Sequence, residues 1–533
     1  MVESTALKLT PPPFDVAKSR RSLFDALIDA RARHGGARTI LEDSQKTSLT
    51  YTGLIRAAFA LGRKIGGMTA PGEHVGIMLP SSVGAAVTFF AIHASGRVPV
   101  MLNFTSGLRN LRAACHAGKV KRVLTSKRFV VQARLEELVE ELGASVEIVW
   151  LEDVRKTIGP ADKVYALIAG SFPRQFRAGA DPDDVGVILF TSGSFGAPKP
   201  VVLTHANLIA NEMQVFAHIA FDPDWVFFNP LPVFHSFGLM GGIILPVLEG
   251  LKVFQYPSPL HYKTIPPLVK EIGASVLFST DTFINQYARA SESDDLSGLQ
   301  FVVCGAERVR AETHELLKDR FGIMLVEGYG VTETSPVLSV NQPTDNRPGT
   351  SGRLLPGIEP RLEPVQGIDR GGRLYVRGPN VMAGYLDAEG ELEPPVDGWH
   401  DTGDIVEIDG EGLVRILGRA KRFAKIGGEM VSLSAVEAMA SAVWPDCRHA
   451  VVAVDDPKKG ERLVLVTDCK AAEPAALLAH AKSIGAPEIA APRRFVKIHE
   501  LPVLGTGKTD YVAIQHIAEA EDAKEAKTRW GRR

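Results

Sequence analysis

Between His74 and Leu151, short apolar runs alternate with stretches spaced like helices, and this alternation constrains the fold more than any single motif does. His74–Leu79 precedes Ser82–Ser95, Pro99–Asn103 precedes Leu108–Ala117, Arg122–Thr125 precedes a charged helix to Leu142, and Val146–Leu151 begins the next repeat. Apolar runs of this length suit buried strands, and the helices between them can cross back over the sheet, which makes βαβ units. The expected product is a parallel sheet clad in helices, which takes ligands at the C-terminal ends of its strands. Ahead of it, Arg20–Arg33 (Leu23, Leu27, Ile28) and Tyr51–Ile65 (Leu54, Ala58, Leu61) each space their apolar residues along one helical face.

Val185–Phe190 reads as another strand, and Thr191-Ser192-Gly193-Ser194-Phe195-Gly196-Ala197-Pro198-Lys199 stands at its C-terminal end, before a helix over Asn207–His218. Small residues let backbone N–H groups approach an anion, hydroxyls add donors and the lysine adds a cation, so such a loop suits a polyphosphate. It does not fit the Walker pattern, because Lys199 lies between two prolines. Taken alone, a Gly/Ser turn is as often a plain surface turn. Three further strands, Ala274–Phe278, Leu299–Cys304 and Ile323–Val326, also end in small or polar residues. The second runs into Gly305-Ala306-Glu307. The third runs into Glu327-Gly328-Tyr329-Gly330-Val331-Thr332-Glu333-Thr334, where an aromatic ring can stack on a base, Thr332 can bond a phosphate oxygen and Glu333 can hold Mg²⁺. Phe227–Val233 stops at Phe234-His235-Ser236-Phe237-Gly238. The apolar stretch Leu239–Leu248 after it reads as a core helix or the wall of a tunnel for an apolar chain, burial being the commoner fate.

A chain of 533 residues exceeds what one core serves, so at least two domains are expected. A net charge of -2 leaves no basic excess for phosphates, which excludes nucleic acid as the main partner. Cys115, Cys304, Cys447 and Cys469 show no CxxC spacing and read as thiols of a reducing, cytoplasmic compartment. Met1–Lys18 lacks the pattern of a signal peptide. Val83–Ile92 and Phe237–Leu248 are too short or too Gly-rich to span a membrane, which leaves only peripheral membrane contact open. Beyond Arg347 the texture turns to Gly/Pro-rich short strands (Arg373–Val376, Ile405–Ile408, Val414–Leu417), as in a small β-rich subdomain over about 347–418. Ser434–Trp444, His449–Val454, Arg462–Thr467 and Ala475–Ile484 then read as a small α+β domain.

The loop at Thr191–Lys199, the Glu327–Thr334 stretch, Asp401-Thr402-Gly403-Asp404, Gly418–Lys421 and Gly507-Lys508 occur in the order found in the adenylate-forming superfamily. This superfamily comprises acyl-CoA synthetases, luciferases and nonribosomal adenylation domains, and the resemblance covers nearly the whole chain. More narrowly, Tyr256–Tyr262, Gly418–Lys425 with Gly428–Ser432, and Leu501–Lys508 resemble the acyl-[acyl carrier protein] synthetase part of a bacterial bifunctional acyltransferase/synthetase.

The resemblance implies an α/β fold with a large N-terminal domain over 1–418, joined by a hinge near Lys421 to a mobile α+β domain over 419–533. It also implies a fatty acid ligase that uses ATP and Mg²⁺, makes acyl-AMP, and passes the acyl group to a phosphopantetheine thiol of holo-acyl carrier protein (holo-ACP) or CoA. Thr191, Ser192, Gly193, Ser194, Gly196 and Lys199 would hold the β- and γ-phosphates. Gly305, Ala306, Glu307, Glu327, Gly328, Tyr329 and Gly330 would line the adenine, and Thr332 would bond a phosphate. Glu333, with Thr191, would serve the metal, Asp404 and Arg419 the ribose. Lys508 would bridge carboxylate and phosphate oxygens, and His235 would stand at the acyl entrance. An acidic carrier protein would meet cations at Lys421, Arg422, Lys425, Lys458, Lys459, Arg493 and Arg494. Two residues depart from the pattern. Phe195 offers no donor or acceptor, and Pro200 removes an N–H, so a catalytically weak binding protein of the same fold is an alternative. An acyltransferase built on His314 and Asp319 is disfavoured, because residues five apart on a helix lie about 140° apart around its axis.

Overall fold

The computed structural model describes residues 11–191, 198–292, 294–366, 368, 370–426, 429–456, 460–503 and 509–530. The chain divides into two compact units, Met1–Glu359 with Arg377–His400, and Pro360–Val376 with Asp401–Arg533.

Two mixed sheets organise the first unit. One has the spatial order Leu392–Glu393, Gly384–Leu386, Lys199–Thr204, Val185–Thr191, Val98–Met101, His74–Ile77, Arg122–Thr125, Glu147–Trp150. It is parallel from Val185–Thr191 onward and antiparallel before it. The other has the order Arg353–Leu354, Val337–Val340, Met324–Gly330, Phe301–Cys304, Val276–Ser279, Val226–Asn229, Lys252–Gln255, Thr39–Asp43, Ser48–Thr50. Its interior is parallel and both its ends are antiparallel. The parallel interiors follow from the βαβ alternation, since helices such as Val83–Ala94 and Leu108–Ala117 return the chain across the sheet.

The structure departs from the sequence expectation in two places and bears it out in a third. A strand, Lys199–Thr204, stands between the Gly/Ser loop and the helix His205–His218. Pro200, which has no N–H to give a ladder, disguised it. The charged helix ending at Leu142 is two helices, Lys127–Gln132 and Glu136–Leu142, separated where Arg134 turns to φ 55. The stretch Leu239–Leu248 is a buried helix, π-wound over Met240–Ile244. A Cβ on Gly242 would lie 2.1 Å from Asn229 Nδ2, so glycine lets this helix press on the strand beside it, as core packing requires.

In the second unit, Glu359–Glu363, Gly372–Arg377, His400–Ile408 and Val414–Arg419 form one sheet. Arg353–Leu354, Gly384–Leu386 and Leu392–Glu393 instead join the sheets of the first unit, so the Gly/Pro-rich texture is shared between units. A second sheet has the order Glu429–Ser432, Phe423–Ile426, Gly460–Thr467, His449–Asp456, with Arg494–Lys497 beside Gly460–Thr467. Val436, Val451, Leu465 and Leu477 pack on one of its faces, and Val464, Val466, Ile514 and Ala518 on the other. Alternation along the strands puts apolar side chains on both faces, so helices cover both. Lys421 is exposed on the turn Ala420–Arg422. No helix among the described residues is long and apolar enough to cross a membrane.

Candidate functional site

Thr191 and Lys199 are register partners at the ends of their two strands. Ser192, Gly193, Ser194, Phe195 and Gly196 lie outside the described residues. The 3-10 turn Thr332–Thr334, which carries Glu333, packs against both strands. Gly330 permits the tight return of the chain around this turn, because a Cβ there would lie 2.0 Å from the carbonyl oxygen of Pro336. Glu333 is only 9% exposed, and the Tyr385 hydroxyl donates to its Oε1 at 2.7 Å. The ring of the same tyrosine lies 5.3 Å from Lys199 Nζ. Met382 N also donates to the Glu333 carbonyl at 2.8 Å, which ties the segment before Tyr385 to the turn.

The candidates for the adenine side gather where Phe301–Cys304 and Met324–Gly330 run parallel, with Cys304 opposite Glu327. A Cβ on Gly305 would meet the Gly328 carbonyl at 3.3 Å and the Phe237 ring at 3.4 Å. Ser236 Oγ lies 3.4 Å from Thr332 Oγ1, so the turn carrying His235 adjoins the phosphate candidates. The His235 ring is 4.8 Å from that of Phe234, which stacks edgewise at 4.9 Å on Phe104. Ala306 takes the left-handed conformation at φ 71.

Several candidates are engaged by the protein itself. The Glu307 carboxylate accepts from Thr282 N at 2.6 Å and Thr282 Oγ1 at 3.0 Å, at the start of the helix Asp281–Ala290. Burial pushes this carboxyl above the usual carboxylate range, against the hydrogen bonds from Thr280 and Thr282. Glu327 Oε1 meets His314 Nε2 at 2.9 Å and accepts from Gly349 N at 2.7 Å. His314 therefore faces Glu327 from the continuous helix Ala311–Phe321, and the pairing with Asp319 gains no support. Tyr329 is 7% exposed, which leaves little of its ring for a base.

Within the second unit, Asp404 and Arg419 are register partners, and Arg419 Nε donates to Asp404 Oδ1 at 2.8 Å. Asp401, the other acid of that motif, accepts from Arg373 Nε at 2.9 Å. Arg422, one of the cations expected at a docking rim, is engaged within the unit. Its guanidinium meets Glu437 at 2.6 Å and lies 3.6 Å from the Tyr511 ring. Lys508, Lys458 and Lys459 lie outside the described residues.

Among the described residues no cluster of three acidic, histidine or cysteine side chains forms a cage for a metal. A lone carboxylate such as Glu333 suits Mg²⁺, which keeps most of its ligands as water and phosphate oxygens. Tyr385 and Phe237 were not legible as site residues. Phe237 lies in the segment Phe234–Gly238 at which the run Phe227–Val233 stops, a partial signal, whereas nothing around Tyr385 marks it.

The pattern of the AMP-binding enzyme family matches residues 28–386. Feruloyl-CoA synthase of Amycolatopsis sp is 30% identical over 454 residues, which cover 80% of this chain and 83% of that protein. Medium-chain fatty-acid–CoA ligase of Escherichia coli (strain K12) is 32% identical over 297 residues, 52% of this chain and 51% of the ligase. The crystal structure of ATP-bound MatB from Rhodopseudomonas palustris superposes with a TM-score of 0.78 at 25% identity, covering 93% of this chain and 98% of MatB. With the family pattern running over most of its length and the fold matching, this chain belongs to the AMP-binding enzymes.

Proposed function

We propose that the protein is an ATP-dependent, AMP-forming acid–CoA ligase acting on an apolar monocarboxylic acid, fatty or aromatic. The observation that carries this reading is the packing of the turn Thr332–Thr334 against the two strands in which Thr191 and Lys199 are register partners. In the first half-reaction the acid's carboxylate oxygen bonds to the α-phosphorus of ATP and pyrophosphate leaves. In the second, the CoA sulfur bonds to the acyl carbon and AMP leaves. Bound Mg²⁺ would neutralise phosphate charge as two anions meet. Glu333 would hold it, Thr191, Lys199 and Thr332 would grip phosphate oxygens, and Lys508 would draw the carboxylate in. The rings of Phe104, Phe234 and Phe237 near His235 favour an apolar acyl group. Asp404 and Arg419 remain the ribose candidates of the second unit.

The relatives named above are CoA ligases, which supports CoA over holo-ACP as acceptor. Part of the sequence that resembled an acyl-ACP synthetase serves packing. Tyr256 OH meets His261 Nδ1 at 2.9 Å, and Tyr287 OH donates to the Pro259 carbonyl at 2.6 Å. The test is to incubate the purified chain with ATP, Mg²⁺ and a panel of fatty and hydroxycinnamic acids, offering CoA and holo-ACP separately. AMP, pyrophosphate and an acyl-CoA are expected. Release of ADP, or nucleotide binding without adenylate formation from any acid, overturns the reading. Turnover with holo-ACP alone moves the acceptor back to the carrier protein.

A further inference from the structure

We propose that Tyr385 is a positioning residue with two functions, orienting the Glu333 carboxylate for the metal and keeping the Lys199 ammonium apart from it. This rests on the reading of Glu333 and Lys199 given above. Tyr385 lies in the short strand Gly384–Leu386, where its register partner is Val201. Side chains alternate along a strand, so Tyr385, Val201 and Lys199 share one face, with Lys199 diagonal to the tyrosine. From that face the phenol reaches Glu333 Oε1 at 2.7 Å while its ring stands 5.3 Å from Lys199 Nζ. The chain before it is fixed to the same turn. Asn380 Nδ2 donates to the Thr334 carbonyl at 2.8 Å, and Ser335 Oγ donates to the Asn380 carbonyl at 2.9 Å.

A hydroxyl on one carboxylate oxygen sets the plane of the group and leaves the other oxygen for a cation, as outer partners do in metal sites. It does so without bringing a charge of its own. The aromatic face gives Lys199 a weak, non-ionic rest. Among the described residues Lys199 and Glu333 form no ion pair with each other, though the strand that begins at Lys199 packs against the turn that carries Glu333. Were they to pair, each would lose charge needed by the other half of ATP·Mg²⁺.

The phenol and the ring can be separated by mutation. Tyr385→Phe removes the hydroxyl and keeps the ring, whereas Tyr385→Ala removes both. Binding is followed calorimetrically on the full chain, without acid or CoA, using ATP in EDTA and Mn²⁺·ATP as probes. Tyr385→Phe should bind Mn²⁺·ATP about tenfold more weakly, with metal-free ATP unchanged and the melting temperature kept. Tyr385→Ala should weaken binding of both probes, because Lys199 can then reach Glu333. Unchanged Mn²⁺·ATP affinity in Tyr385→Phe, alongside a loss in Glu333→Gln, overturns this inference and leaves the metal role of Glu333 standing. No loss in either variant overturns both. Should Tyr385→Ala not fold, the Tyr385→Phe comparison still decides the role of the hydroxyl.

Discussion

Glu333 in the first unit and Asp404 in the second are both buried carboxylates at candidate nucleotide contacts, but they have different partners. Glu333 takes a phenol hydroxyl, whereas Asp404, 2% exposed, takes a guanidinium at 2.8 Å. A buried carboxylate with a cation beside it is already compensated, so its remaining capacity is to accept from neutral donors such as sugar hydroxyls. A carboxylate held only by a neutral donor keeps its demand for a positive charge. On the function proposed above, the same residue class would serve a metal in one unit and a ribose in the other.

The sharpest way to break this contrast is to remove each charge in turn. Glu333→Gln is expected to lower kcat by on the order of 10²–10³-fold in pyrophosphate release, because it removes electrostatic stabilisation where charge develops. Asp404→Asn should act mainly on KM for ATP, raising it about tenfold, as expected for losing a hydrogen bond to a charged group. If Asp404→Asn proves the more damaging to kcat, the division of labour is reversed.

Buried histidines of the first unit extend the contrast to stability. His205, 3% exposed, has its ring 5.0 Å from that of His93 and accepts from Leu23 N at 3.3 Å. Burial lowers the His205 imidazole to about 4, against nearby Asp184 and Asp25, and lowers His93 as well. The unfolded chain therefore binds a proton that the folded one refuses between about pH 6.5 and 4. His205's contribution is complete above that window and is lost as pH falls through it, by about 3 kcal/mol. Denaturant melts at a series of pH values should show this loss, and His205→Gln should flatten the slope. The smallest expected effect is that of Ser236→Ala, whose neutral hydroxyl contact with Thr332 at 3.4 Å predicts about a threefold rise in KM for ATP. A larger rise would mean that Ser236 itself meets the phosphate.

Elements whose signal is local were legible from the residues. Leu108–Ala117 and Arg122–Thr125 have the bounds that the spacing predicted, since apolar periodicity within one segment is enough to define its buried face. The strand Lys199–Thr204 was not legible, because it starts with a proline at its second position and draws its order from the strands on either side. Candidate site residues were recognisable wherever a strand ran into a cluster of small and polar residues, as at Gly305 and Glu333. What those side chains meet was decided by tertiary structure. Glu307 is drawn to a helix start, Glu327 to His314, and Glu333 to a tyrosine 52 residues away. The sequence by itself determined most of the segments that form strands and helices, and that a Gly/Ser-rich segment follows one of those strands, because those depend on neighbours along the chain. Which partner each buried carboxylate received, and so which charge remained available for a ligand, depended on strand register between distant segments, which local spacing does not encode.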